Sequence, residues 1–290
     1  MPACRNAVTT ACRHVVFTLP EELNEVALQT PAIFYKTLFQ TAWSVMNSFG
    51  RTSKFLGAQT GMIAVLHTWG QNLSLHPHLH CIVPSGGVSK SGKWKSTKSK
   101  GKYLFPVKSM SKVFRARFVA QLSKQVHISK KIREDVFSKN WVIYAKQPFQ
   151  GPRQVIGYLG RYTHKVAISN HRIKEIANGQ VSFMMKDYRT GGKKKVMTLT
   201  QREFIRRFSL HILPKGFTRI RHYGILLSSS KKRNKALIDL VLGEVVVAQR
   251  TIHMNRLCPA CKKGKLETVY FFDQRGPPAD WKKLIEYLLS

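Results

Sequence analysis

His76-Pro77-His78-Leu79-His80-Cys81-Ile82-Val83 sets the reading of this chain. Residues at i and i+2 share one face of a strand. His78 and His80 therefore project together, while Leu79 between them points to the core. A second strand is predicted at Gly61–Trp69 (GMIAVLHTW), and the connection Gly70–Leu75 is short enough for an antiparallel hairpin. That hairpin brings His67 across to His78 and His80. Three imidazoles leave coordination positions open for water and a phosphate oxygen, as in a catalytic rather than a closed structural metal site. His76 has the same parity, but Pro77 interrupts the ladder, so it ranks behind His67. Imidazole ligands suit Mn, Zn or Ni by softness, whereas cells supply abundant Mg. The expected cofactor is a divalent ion, Mg or Mn.

A single histidine is most often a hydrogen-bonded or surface group. Three alternating histidines with a fourth across a hairpin are harder to explain that way. The string also fits the His-x-His-x-His pattern of histidine-triad nucleotide hydrolases. Such a fold has no need of the charge this chain carries: 49 Lys and Arg against 14 Asp and Glu, a formal net charge of +35 over 290 residues. An excess that large points to a polyanionic partner, nucleic acid first. No apolar run reaches the length of a spanning helix, and the first residues lack a signal-peptide layout. Five cysteines, an odd number, argue against a secreted disulfide scaffold. A reducing cytosol is the expected location.

Around the hairpin, residues 14–19 (HVVFTL) read as a strand. Thr30 as N-cap and Pro31 at the first position open a helix that runs to about residue 49. Residues 89–102 hold six lysines and no acid, a solvated loop. A short strand is expected at 103–107, an amphipathic helix through Val113, Phe114, Phe118, Leu122 and Val126, and a strand at 141–145. Arg153 to Thr163 reads as a helix. This order over residues 14–163 suits an antiparallel sheet with helices on one face, a ferredoxin-like α+β layout. Beyond it, strands are expected at 166–169, 180–188 and 196–200, with a basic hairpin at Gly191-Gly192. A basic helix at Arg202–Leu213 and a basic strand at Phe217–Leu227 follow.

Tyr158 and Tyr162 fall one helical turn apart in the Arg153–Thr163 segment. Aromatic pairs at this spacing are usually core packing. Here Arg153, Arg161, His164 and Lys165 surround them, so the helix is basic where a core helix is apolar. A tyrosine hydroxyl is a poor nucleophile at its ordinary pKa. A metal-polarised phosphate makes it competent, and attack conserves the phosphodiester energy, so strand transfer needs no nucleotide or other small-molecule cofactor.

At these residues the chain resembles the two-tyrosine HUH (His-hydrophobe-His) transposases of the insertion-sequence 91 family, the 801/1294 group. The likeness runs through HVVFTLPEEL (14–23), VLHTWGQNLSLHPHLHCIVPSGG (65–87), WVIYAKQPF (141–149) and YLGRYTHKVAISNHR (158–172). It continues through DYRTGGKKKVMTL (187–199) and FIRRFSLHILPKGFTRIRHYGIL (204–226) to CPAC (258–261). The resemblance implies a metal-dependent single-strand DNA endonuclease and strand transferase that acts through 5′-phosphotyrosine intermediates in rolling-circle transposition. It makes His78 and His80 the HUH ligands, His67 the third ligand, and Tyr158 and Tyr162 the nucleophiles. Single-stranded DNA and the element termini are then the partners. The family usually carries an N-terminal zinc-binding region; here only Cys4 and Cys12 precede HVVFTLP, at a spacing unlike a zinc knuckle. A shortened, catalytically inactive DNA-binding relic is the alternative.

Three segments are expected: a nuclease core at 1–164, a basic DNA-binding extension at 165–230, and a tail at 231–290 with a CxxC half-site. Lys193, Lys194, Lys195, Arg206, Arg207, Arg219 and Arg221 join Arg153, Arg161 and Lys165 as candidate DNA contacts. Cys258 and Cys261 are candidate zinc ligands, two of the four a closed site needs. Cys81 is expected to be a small buried hydrophobe.

Overall fold

A computed structural model describes residues 12–97, 104–145, 167–187, 190–230, 256–258 and 260–266. The chain divides into two units, Met1–Glu244 and Val245–Ser290. Among the described residues, the first unit contains strand β1 (Cys12–Thr18), a short helix α1 (Asn24–Gln29) and the long helix α2 (Pro31–Arg51). Strands β2 (Gly61–Trp69) and β3 (Leu75–Pro84) follow, then a small hairpin of β4 (Gly86–Val88) and β5 (Trp94–Ser96). Helices α3 (Val107–Ser123) and α4 (Lys130–Ser138) lead to β6 (Ile143–Ala145). Strands β7 (Ile173–Ala177), β8 (Gln180–Asp187) and β9 (Lys193–Thr200), helix α5 (Gln201–Ser209) and strand β10 (Ile220–Gly224) follow.

Five strands form an antiparallel sheet in the order β10-β2-β3-β1-β6, the α+β layout expected from the strand and helix order. Val15 and Phe17 of β1, Met62, Ala64 and Leu66 of β2, and Leu79, Cys81 and Val83 of β3 share the main core. Helices α2 and α3 supply its other side. α2 buries Phe34, Leu38, Ala42, Val45 and Phe49 at helical spacing, and Phe34 meets Phe118 of α3 edge-on at 5.4 Å. The opposite parity is also largely buried, with Val16, Val65 and Ile82 each under a tenth exposed. Burial on both faces explains why β1 and β2 read as near-continuous apolar runs.

A second, three-stranded sheet, β7-β8-β9, packs Phe183, Met197 and Leu199 with Phe204 of α5 and with Trp69 and Leu73 of the β2–β3 hairpin. His211 fastens the two layers. Its Nε2–H donates to the Leu73 carbonyl at 3.1 Å, which leaves Nδ1 to accept from the Thr68 hydroxyl at 3.2 Å.

Several elements differ from expectation. Leu104 and Phe105 form no strand; they are buried in the core as an irregular entry to α3. Their strand-forming composition serves packing. Residues 167–169 are likewise irregular, with Ala167 and Ile168 buried in the second cluster, and the strand begins later, at Ile173. The lysine-rich segment contains strand β5, which pairs back with β4 just before it. Lys193, Lys194 and Lys195 start β9 rather than cap its turn. The strand expected in the basic extension is β10, an edge strand of the five-stranded sheet. Thr30 precedes α2 as expected, but its hydroxyl donates back to Val26, closing the end of α1. Helices α1 and α4 were not foreseen; Ser129, whose hydroxyl caps Ile132, is the signal for α4.

In the second unit, β11 (Arg256–Leu257) pairs with β12 (Lys265–Leu266) around Cys258 and Cys261.

Candidate metal centre

The β2–β3 register sets His67 directly opposite His78. Between this pair and the Trp69–Leu75 pair the register shifts, so His76 and Pro77 together oppose Thr68 alone. A bulge is where a strand tolerates a proline. Pro77 thus lies within β3 without ending it, and His76 is left outside the cluster.

Among the described residues, His67, His78 and His80 bring their ring nitrogens within 4.8 Å of one another. His78 Nε2 and His80 Nε2 are 3.1 Å apart. Two ligand nitrogens each about 2.05 Å from one ion, at angles between square and tetrahedral, stand roughly 2.9–3.4 Å apart. The His78–His80 pair therefore fits a shared divalent ion. His67 is nearly inaccessible, 2% exposed, and its ring stacks on Trp69 at 4.5 Å. The Arg219 guanidinium lies over the other partner of that stack, 5.4 Å from the Trp69 ring centre.

The second sphere is built as well. His78 Nδ1–H donates to the His76 carbonyl at 2.6 Å, which leaves Nε2 with its lone pair. His80 Nδ1 lies 2.8 Å from Nε2 of His14 on β1. Burial pushes the His78 imidazole down to about 4, against the opposing pull of its bond to the His76 carbonyl. His78 is therefore neutral and ligand-competent at physiological pH. Cys81, behind the ligands, is fully buried, and burial drives its thiol upward; it is packing, as expected.

Tyr158, Tyr162, Arg153, Arg161 and Lys165 lie outside the described residues. The other basic candidates divide. Lys193, Lys194 and Arg206 are exposed, and exposed Lys195 pairs with Asp187 at 2.8 Å. Arg206 and Arg207 both grip Glu203, holding its carboxyl down at about 2. Arg207 also donates to the Asn72 carbonyl at 3.1 Å, tying α5 to the β2–β3 loop. Arg221 lies on the helix side of β10, 4.4 Å from the Phe39 ring centre and 5.1 Å from that of Phe217. Two residues escaped the sequence reading. His14 carried no metal-type spacing, because its link to His80 exists only through β1–β3 pairing. Lys186 stands directly opposite Lys194, a like-charge pair that disfavours the sheet unless an anion sits between.

In the second unit, Gly264 N–H donates to Cys261 Sγ at 3.3 Å. This contact leads the backbone donors that lower the Cys261 thiol. Among the described residues no third ligand groups with Cys258 and Cys261.

A family model described as "Putative transposase" (Y2_Tnp) matches residues 61–234, which include the histidine hairpin, strands β7 to β9, helix α5 and strand β10. The chain belongs to the Y2_Tnp transposase family. It is 41% identical to "Putative transposase y4qJ" of Sinorhizobium fredii (strain NBRC 101917 / NGR234), over 92% of this chain and 75% of that one. It is 28% identical to the "Transposase for insertion sequence element IS801" of Pseudomonas savastanoi pv. phaseolicola, over 74% of this chain and 54% of the relative. The chain thus spans three quarters of the first relative's length and about half of the second's. A copper-bound structure of the conjugative relaxase TrwC with oriT DNA covers 84% of this chain at 12% identity and a TM-score of 0.32. Among the described residues, no helix is long and apolar enough to cross a membrane.

Proposed function

We propose that this Y2_Tnp chain cuts and rejoins single-stranded DNA through phosphotyrosine intermediates at the His67/His78/His80 centre, in rolling-circle transposition. The observation that carries the proposal is the three-imidazole cluster on one hairpin, with its two HUH nitrogens 3.1 Å apart, in a transposase-family chain of net charge +35. His67, His78 and His80 would hold a divalent ion, Mg or Mn, which would neutralise charge and polarise a phosphate oxygen.

Tyr158 and Tyr162 are the proposed nucleophiles. The phenolic oxygen of one attacks phosphorus, a Tyr–O–P bond forms at the 5′ end, and the P–O3′ bond breaks. The phenol gives up its proton as the Tyr–O–P bond forms and the leaving 3′ oxygen takes up one proton, so the transfer is proton-neutral. Rejoining reverses these steps with the same or another 3′-hydroxyl, and a second tyrosine allows a second strand end to be held at once. Arg219, whose guanidinium lies over Trp69, is a proposed contact to a phosphate near the centre. Lys186 and Lys194, opposite one another in β8 and β9, are proposed backbone contacts further along, which position DNA without reading its sequence.

The test is incubation with end-labelled single-stranded DNA from the element's termini and Mn or Mg, followed by a denaturing gel. We expect a covalent adduct that disappears with EDTA and in the Tyr158→Phe/Tyr162→Phe double variant. Binding without any adduct, in folded and metal-loaded protein, would leave an inactive DNA-binding relic as the reading.

A further inference from the structure

We infer that His14 is a positioning residue for the metal centre: its imidazole accepts the Nδ1 proton of His80 and so turns the His80 Nε2 lone pair toward His78 and His67. The inference rests on the reading of His67, His78 and His80 as metal ligands.

A neutral imidazole carries one proton, and the partner of one nitrogen decides which nitrogen keeps it. For His78 the partner is the His76 carbonyl, which only accepts, so the proton stays on Nδ1. For His80 the partner is a second imidazole. His14 faces Ile82 and Val16 faces His80 in the β1–β3 register, so His14 and His80 are diagonal neighbours on one sheet face. His14 Nε2 lies 2.8 Å from His80 Nδ1, and the two rings are within 10° of parallel. His14 is 6% exposed, so bulk water has little access to replace it.

The direction of this bond is decisive. With Nε2 as acceptor, His14 holds His80 in the Nδ1–H form, the form His78 also has, and both Nε2 lone pairs face the centre. With His14 as donor, His80 would carry its proton on Nε2, 3.1 Å from His78 Nε2, and lose its ligand lone pair. His14 thus does for His80 what a backbone carbonyl does for His78.

The experiment is calorimetric titration of Mn2+ into the metal-free full chain, for the native protein and for His14→Phe, His14→Gln and His78→Ala. His14→Phe keeps a ring and removes the acceptor; we expect affinity to fall about 10–100-fold. His14→Gln keeps an acceptor oxygen and is expected to recover most of that loss, which a purely packing role would not predict. A folded His14→Phe protein that binds Mn2+ within about twofold of the native chain, while His78→Ala does not, overturns the inference alone. Unchanged affinity in both variants overturns the metal-centre reading beneath it. Should His14→Phe fail to fold, nitrogen-15 NMR of the native Zn2+-loaded chain decides: a proton on His80 Nδ1 with unprotonated His14 Nε2 supports the role, and the reverse overturns it.

Discussion

His78 couples the site to acid stability. Its imidazole is pushed down to about 4 by burial, and burial lowers His211 as well, against the opposing pull of its bond to Leu73. A histidine depressed in the fold binds fewer protons than the unfolded chain between the two pKa values. Stability therefore rises with pH through that window and is flat above it. For His78 the window runs from about 4 to the ordinary histidine value of 6.5. The upper bound of its effect is roughly 3 kcal/mol, since one pKa unit is about 1.4 kcal/mol. We expect the thermal midpoint of the metal-free protein, in EDTA, to climb between pH 4.5 and 6.5 and level off near 7. His78→Gln should flatten part of that climb. An equally steep profile in the variant would show that other groups carry the acid sensitivity.

At the scale of elements, the β2–β3 hairpin is held from both edges. β1 brings His14, and β10 closes the far side along Gly61–Val65. The end of β10 depends on a close approach. Gly224 has φ +62, and a Cβ there would stand 2.1 Å from the Thr60 carbonyl oxygen and 2.5 Å from the Trp43 ring. Gly179 has a similar φ of +70 but faces open space. A left-handed backbone alone disfavours an L side chain by about 1–2 kcal/mol, so Gly179→Ala is expected to lower stability by about that much. Gly224→Ala adds a collision with rigid backbone, and we expect a loss of more than about 3 kcal/mol in chemical denaturation. Equal losses at the two positions would mean that β10 is free to shift away from Thr60.

The whole molecule carries 49 basic against 14 acidic residues, far more positive charge than its described ion pairs absorb. A net charge of this size disfavours the compact state and favours a polyanion at the surface. Each phosphate contacted on single-stranded DNA adds about −0.7 to the slope of log affinity against log salt. With roughly five contacts the expected slope is about −3.5. Lys186→Gln/Lys194→Gln should make it shallower by about 1.4 while leaving sequence preference unchanged. A salt-independent affinity would remove the electrostatic account of DNA binding, whatever the outcome at the metal centre.

The sequence by itself determined the local periods and the residue chemistry. Alternation placed His78 and His80 on one face, a short connection placed His67 across from them, and Pro31 with a run of apolar residues fixed α2. These depend on neighbours a few residues apart, where strand and helix geometry leaves little choice. The tertiary structure alone decided what depends on partners distant in the chain. It set His14 against His80 across 66 residues and Lys186 against Lys194 in register. It turned Arg221 to the helix side and committed Arg207 to the β2–β3 loop, though both read in the sequence as free positive charge. It also made Leu104 and Phe105 core filling rather than strand, because an apolar residue records its need for burial and not the backbone shape in which it is buried.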